Sequence, residues 1–292
     1  MIGTPRPYLT THGTIGFAHR GGSKEHPENT LVAFAAAVEL GYTYLETDAQ
    51  LTRDGAVLAF HDESLDRVTD LVGAVGDRTL DEVKHADAGY RWSPDRGSTR
   101  PYRGTGVTIP TLEEALLAFP HARFNIDLKT EEVVAPLALL IERLGVHDRV
   151  CVASFSDRRL RRFRRLSGGE ICTSMGKRAI ASARLTSLTG RMRAQGADCV
   201  QVPVSSSGVR IVDRAFVLAA HRQGLQVHVW TIDDRPRMER LIDLGVDGIM
   251  TDRPTLLREV LQAGGRWAGP EVGGQRDSNP RPPDPQSGTL TS

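Results

Sequence analysis

Glu46 and Asp48 stand two residues apart in the run YLETDAQL (44–51). In an extended strand that spacing points both carboxylates to one face. If the face looks inward, the pair suffers mutual repulsion and a desolvation cost that a divalent cation relieves. Asp127, in FNIDL (124–128), offers a third oxygen. Three carboxylates, with water or a phosphate oxygen completing the shell, suit a hard ion such as Mg2+ or Ca2+ and not a soft one. A buried network of carboxylates with Arg20 and Lys129 is the alternative, but two cations leave an excess of inner negative charge, which favours the ion.

Two histidines approach the same cluster. His19 follows the apolar run TIGFA (14–18), in the stretch FAHRGGSKEHPENT, and His61 follows VLAF (57–60). Asp54-Gly55 is a hairpin signal, so 57–60 folds back on 44–51. The expected register sets His61 across from Glu46. Imidazoles titrate near pH 6.5, so two of them beside a metal-bound phosphate can act as general acid and general base. Arg20 is placed to face that phosphate. The chain has four lysines and 33 arginines, so Lys129, two residues from Asp127, suggests a demand for a compact point charge against phosphate.

These residues need elements to position them. Short apolar runs at 14–18, 44–51, 57–60, 124–128, 150–154, 170–174, 198–202, 227–230 and 247–250 alternate with segments of helical period. Thr30–Leu40, with Leu31, Phe34, Ala35 and Val38 as its apolar positions and Asn29 or Thr30 as its cap, is closed by Gly41. Val133–Leu144, Val212–Gln223 and Pro236–Leu244 are closed by Gly145, Gly224 and Gly245. Strand, helix, glycine, strand is the signature of right-handed βαβ units. With 57–60 read as the return arm of a hairpin, eight runs remain, and the fold class is α/β, a (β/α)8 TIM barrel. Its usual size, about 250 residues, fits the 292-residue chain.

The barrel is expected over 14–263, after an N-terminal extension, 1–13. A small insertion or lid (62–108) follows the second-strand hairpin. The Gly-, Pro- and Ser-rich segment 264–292 reads as a disordered tail. Net charge is +1, which gives no global pull toward nucleic acid or an anionic membrane. The run RRLRRFRR (158–165) reads as an outer helix with Leu160, Phe163 and Leu166 packed and its arginines in solvent. Cys151, Cys172 and Cys199 form no CxxC pair and read as buried free thiols. There is no N-terminal signal region or apolar run long enough to span a membrane, so a cytoplasmic protein is expected.

His19-Arg20-Gly21, Pro27-Glu28-Asn29-Thr30, Glu46-x-Asp48, His61-Asp62, Ile126-Asp127-Leu128-Lys129, His228-Val229-Trp230-Thr231 and Gly248-Ile249-Met250-Thr251-Asp252-x-Pro254 occur in that order. Together, from about residue 15 to 262, they resemble the glycerophosphodiester phosphodiesterase family of the cytoplasmic bacterial type. The segment Thr108–Glu114 is similar to the point where that family's insertion rejoins the barrel.

The resemblance implies metal-dependent hydrolysis of glycerophosphodiesters, small-molecule substrates, to sn-glycerol 3-phosphate and an alcohol. It maps acid–base catalysis to His19 and His61, metal ligation to Glu46, Asp48 and Asp127, and phosphate contacts to Arg20 and Lys129. Trp230 would wall the pocket. The glycerol 2-hydroxyl would be the nucleophile and a cyclic phosphate the intermediate. The third metal position, often Glu in the family, is Asp127 here, shorter by one methylene. An alternative is a phospholipase D-like or phosphoinositide-type phosphodiesterase acting on a lysolipid, which calls for an apolar pocket mouth supplied by 62–108. That segment has few bulky apolar residues, which favours a water-soluble substrate.

Overall fold

The computed structural model describes residues 6–187, 192–206, 208–267 and 269. Eight parallel strands form a nearly closed barrel. They are β1 (Ile15–His19), β2 (Tyr44–Leu51), β4 (Arg123–Leu128), β5 (Val150–Ala153), β6 (Cys172–Thr173), β7 (Cys199–Pro203), β10 (Gln226–Trp230) and β11 (Gly248–Thr251). Their spatial order is β6-β5-β4-β2-β1-β11-β10-β7. The last seam, between β6 and β7, is a single bridge, Ser174 to Cys199, with flanking backbone hydrogen bonds from Asp198 and Met175. A two-stranded hairpin, β8 (Ser205–Ser206) with β9 (Val209–Arg210), follows β7.

The helices lie where apolar period and caps put them. α1 (Leu31–Glu39) is capped by Thr30, whose hydroxyl accepts from the Ala33 N–H. Its packed face is Ala33, Phe34 and Ala37, whereas Leu31 and Val38 of the expected face are exposed. Two small alanines let the helix sit close to the chain after β1, which turns the face by about one residue. α2 (Leu80–Lys84) and α3 (Leu112–Ala118) each start on a capping box. α4 (Val134–Leu144) ends at Gly145, and α8 (Arg235–Leu244), capped by Asp234, ends at Gly245. α7 (Arg214–His221) starts on Asp213. α6 (Lys177–Ser187) and α9 (Pro254–Ala263) complete the ring.

In α5 (Asp157–Leu166), Leu160 and Phe163 are buried as expected, but Leu166 is 52% exposed. It is the last residue of the helix, beyond the layer that covers the other two. Its arginines are not all in solvent either: Arg164 donates to Thr173 Oγ1 and the Ser174 carbonyl. Among the described residues no helix is long and apolar enough to cross a membrane.

β3 (Val57–Ala59) pairs antiparallel with β2, as the hairpin signal predicts. The register differs by one from the expected one. Ala49 faces Ala59 and Leu51 faces Val57, so His61 falls level with Thr47 and not Glu46. The ladder stops at the Phe60 N–H to Asp48 carbonyl bond, after which the chain leaves the sheet. The turn spends one more residue than expected because Thr52 already pairs with Ala56 across Asp54-Gly55.

The insertion has a small core of its own, with Leu65, Val75, Val83 and Val107 packed on Leu58, Phe60 and Ile109. Two segments outside the expected barrel bounds pack on the barrel itself. Tyr8 and Leu9 are buried in the barrel floor with Phe17, Tyr44 and Met250. The Thr14 N–H donates to the Arg266 carbonyl, and Trp267 packs edge-on to Tyr42. Thus the chain stays on the barrel through Trp267; the expected disorder of the tail, at 268 and 270–292, lies outside the described residues.

Candidate active site

β1 ends at His19, and the chain then turns through three left-handed residues, Arg20 (φ 51°), Gly21 (φ 80°) and Gly22 (φ 101°). A Cβ at Gly21 would lie 2.6 Å from the Ala33 Cβ, and one at Gly22 would lie 2.6 Å from Pro254 Cγ. Close packing against the starts of α1 and α9 therefore demands the glycine pair. The loop is tied shut by Asn29, also left-handed (φ 56°), whose N–H donates to the Arg20 carbonyl at 2.9 Å. Two such non-glycine residues cost roughly 1–3 kcal/mol each and gather at functional loops.

Parallel pairing sets the heights. His19 is level with Glu46, and Asp48 with Asp127. His19, Arg20, Glu46, Asp48, His61, Asp127, Lys129 and Trp230 all line one cavity of about 610 Å³ at the C-terminal ends of the strands. Barrel enzymes do their chemistry at this end.

Each histidine has a carboxylate on its Nδ1. His19 Nδ1 is 2.6 Å from Asp252 Oδ1, and its Nε2 lies 3.7 Å from Glu46 Oε2. His61 Nδ1 bonds Asp62 Oδ1. Burial works against a charge on His19, but Glu46 and then Asp252 outweigh it and raise the imidazole to about 9. Burial also raises Glu46, to about 7, against the pull of His19.

Asp48 is the best-compensated carboxylate. Lys129 Nζ lies 2.7 Å from its Oδ1, Asn29 Nδ2 donates to its Oδ2 at 2.9 Å, and Arg20 Nε sits 3.2 Å from Oδ2. That last contact is a charge pair with poor hydrogen-bond angles, since Arg20 Nε has no hydrogen-bond partner. Burial would raise Asp48, yet Lys129 and Arg20 hold it below the usual carboxylate range. Asp127, 2.7 Å from the same Lys129 Nζ, stays raised by burial.

In chemistry the three carboxylates fit a hard cation. All are oxygen donors, and Glu46 and Asp127 stay raised, chiefly by burial and in smaller part by the neighbouring Asp48, a cost that a bound cation would relieve. Their spacing is looser than a closed three-oxygen cage: among the described residues they do not bring one oxygen each within 4.8 Å of one another. Lys129 Nζ bridges Asp48 and Asp127, 2.7 Å from an oxygen of each.

The supporting residues were not singled out from sequence. Asp252 and Asp62 orient the histidines. Glu28 accepts from Arg20 at 3.0 Å and from both Arg67 terminal nitrogens, and Arg67 Nε bonds Asp62. Each of these except Arg67 sits inside a quoted motif, so position beside a candidate residue was the available signal. No residue of 62–108 lines the cavity. The insertion instead braces the rim, with Trp92 donating to the Ser23 carbonyl and His26 bonded to Tyr102.

The rest of the lining is largely apolar: Phe155, Met175, Ile180, Leu185, Val209, Ile211 and Trp230 contribute to it, with Lys177 and Arg184 among them, and the Phe155 and Trp230 rings meet edge-on at 5.7 Å.

A parallel barrel with paired histidines and clustered carboxylates at its C-terminal mouth defines a class of hydrolytic barrel enzymes. A model of the glycerophosphoryl diester phosphodiesterase family matches residues 19–256. The chain is 40% identical over 269 residues to "Probable glycerophosphodiester phosphodiesterase 2" of Mycobacterium tuberculosis, covering 90% of this chain and 96% of that one. It is 32% identical over 259 residues to a glycerophosphodiester phosphodiesterase of Caldanaerobacter subterraneus, covering 86% and 99%. A solved phosphodiesterase from Oleispira antarctica, in complex with its product sn-glycerol-3-phosphate, superposes with a TM-score of 0.71 at 27% identity, covering 86% and 97%. The chain belongs to the glycerophosphoryl diester phosphodiesterase family and is an enzyme of that class.

Proposed function

We propose that the chain hydrolyses glycerophosphodiesters to sn-glycerol 3-phosphate and an alcohol, with His19 and His61 as the acid–base pair. The reading is carried by one observation: two imidazoles line the carboxylate cluster, each fixed through Nδ1 by its own aspartate. The product named for the Oleispira antarctica neighbour supports the same reaction. Glu46, Asp48 and Asp127 would hold a divalent cation, Mg2+ or Ca2+, which when bound neutralises phosphate oxygens.

His61, oriented by Asp62, takes the proton of the glycerol 2-hydroxyl as that oxygen attacks phosphorus. His19, between Asp252 and Glu46, is held as imidazolium and gives its proton to the departing alcohol oxygen. One P–O bond forms and one breaks, leaving a five-membered cyclic phosphate. The roles then reverse: His19, now neutral, takes a proton from water, and His61 returns one to the 2-oxygen as the ring opens. Arg20 and Lys129 offset charge on the phosphate.

The test is release of glycerol 3-phosphate by wild type, with and without chelator, and by His19→Ala and His61→Ala. Wild-type activity should need the cation, and both variants should lose about 10²–10⁴-fold. On a glycerophosphodiester whose alcohol is p-nitrophenol, the first step, read as p-nitrophenol release, should recover in His19→Ala alone, because that leaving group needs no proton. Recovery of His61→Ala instead would exchange the two roles. Equal turnover by wild type and His19→Ala on the natural diester rejects the proposal.

A second reading, a lysolipid-type diester, is favoured by the apolar part of the cavity lining. Phe155, Leu185 and Val209 are 58%, 74% and 58% exposed there. The expected source of such a surface, 62–108, does not supply it; the wall comes from the segments after β5, β6 and β7. Each methylene laid on it is worth about 0.8 kcal/mol, roughly fourfold in KM. Short-chain diesters below their micelle concentration should show that stepwise fall if the wall binds the alcohol. A flat series leaves only the water-soluble class.

A further inference from the structure

At the other end of the barrel, where the strands begin, the interior holds three thiols. Cys151, Cys172 and Cys199 come from the first residues of β5, β6 and β7 and are buried and unbridged. Their sulfurs lie within 4.8 Å of one another, and among the described residues no other trio of His, Cys, Asp or Glu donors gathers as closely. The Cys151 and Cys199 sulfurs are 3.9 Å apart. An ion bound to thiolates at about 2.3 Å sets neighbouring sulfurs about 3.8 Å apart in tetrahedral and about 4.0 Å apart in trigonal coordination. The observed edge falls between them.

An independent observation points to a ligand. The Tyr8 hydroxyl is buried and has no hydrogen-bond partner. It packs in the same cluster as the three cysteines, which are its electrostatic neighbours along with Tyr44. Leaving a buried hydroxyl unpaired costs roughly 1–3 kcal/mol. A neutral thiol is a weak acceptor, whereas a metal-bound thiolate is a charged one that such an O–H can serve. Arg164 adds a cation whose field reaches Cys199 and Cys151.

We propose that Cys151, Cys172 and Cys199 are the ligands of a thiophilic metal ion, Zn2+ or Cu+, seated in the floor of the barrel. Soft thiolates select such ions, so this site and the carboxylate cluster take opposite classes of metal. Loading breaks three S–H bonds and forms three sulfur–metal bonds, and the protons pass to solvent. Tyr8 and Leu9 close the floor, so the ion enters as the chain folds.

The full chain is refolded with reductant in the presence of Zn2+, Cu+ or Co2+, then dialysed against chelator. One ion per chain should stay, with a sulfur shell at about 2.3 Å in X-ray absorption. The Co2+ form should show thiolate-to-cobalt charge transfer in the near ultraviolet, which a carboxylate site cannot give. Cys199→Ala should fall from one retained ion to none, with its far-ultraviolet circular dichroism intact. If that variant does not fold, the wild-type spectra decide alone. Retention of Zn2+ or of Cu+ identifies the ion. A refolded wild type that binds nothing through sulfur in all three conditions overturns the proposal.

Discussion

His19 Nδ1 lies 2.6 Å from the carboxylate of Asp252, a residue that arrives at the end of the last barrel strand, 233 positions later in the chain. That contact fixes which ring nitrogen faces the cavity. Asp252→Asn should keep the fold but lose both the orientation and the support for imidazolium. Turnover should fall about 10²-fold or more with little change in KM. Unchanged turnover would remove Asp252 from the machinery.

The charge on His19 has a stability signature. Its folded value, about 9, is above the ordinary 6.5, so the protonated ring binds more tightly in the native state. The stabilisation is complete below 6.5 and is lost as pH rises through about 9. Glu46, raised from 4.5 to about 7, acts in the same sense through its lower window. Metal-free protein should therefore melt at progressively lower temperature from pH 4.5 to 9, and Mg2+ or Ca2+ should flatten the upper part of that slope. An opposite slope between pH 6.5 and 9, in chelator, contradicts the ion-pair arrangement around His19.

Asp127 is held by Lys129, and with Glu46 and Asp48 it does not form a closed cage. Asp127→Glu adds the missing methylene. The cation concentration for half-maximal activity should drop by about tenfold. Titration of Mg2+ against activity, and calorimetry of the ion alone, check it. An increase in that concentration would show that Asp127 already sits at its best reach.

Gly22 leaves no room for a side chain, with Pro254 Cγ 2.6 Å from where a Cβ would stand and φ at 101°. Gly22→Ala should cost about 2–4 kcal/mol through strain and overpacking. Urea unfolding measures it. Because His19 is three residues away, the variant should lose turnover before it loses secondary structure.

Much of this was legible from local signals. Short apolar runs and period-3.6 patterns with glycine stops located the barrel, because each is a property of consecutive residues. Glu46 and Asp48 declared their shared face by spacing alone. What could not be read depends on contacts across the chain. Asp252 meets His19 over 233 positions, and Arg67 is tied to Glu28 over 39. The hairpin register slipped by one because Thr52–Ala56 pairing fixes the turn, not the dipeptide signal. The apolar wall was missed because its residues, Phe155, Ile180 and Val209, come from three separate connections, each with no apolar run of its own to mark it.

Arg67 joins Asp62 and Glu28 from a segment that contributes nothing to the cavity lining, while most of the apolar wall comes from the segments after β5, β6 and β7. On the proposed reading, how fast the enzyme turns over and what it accepts are housed in different stretches of polypeptide. Selection could redraw its diet without disturbing its tempo, and the reverse.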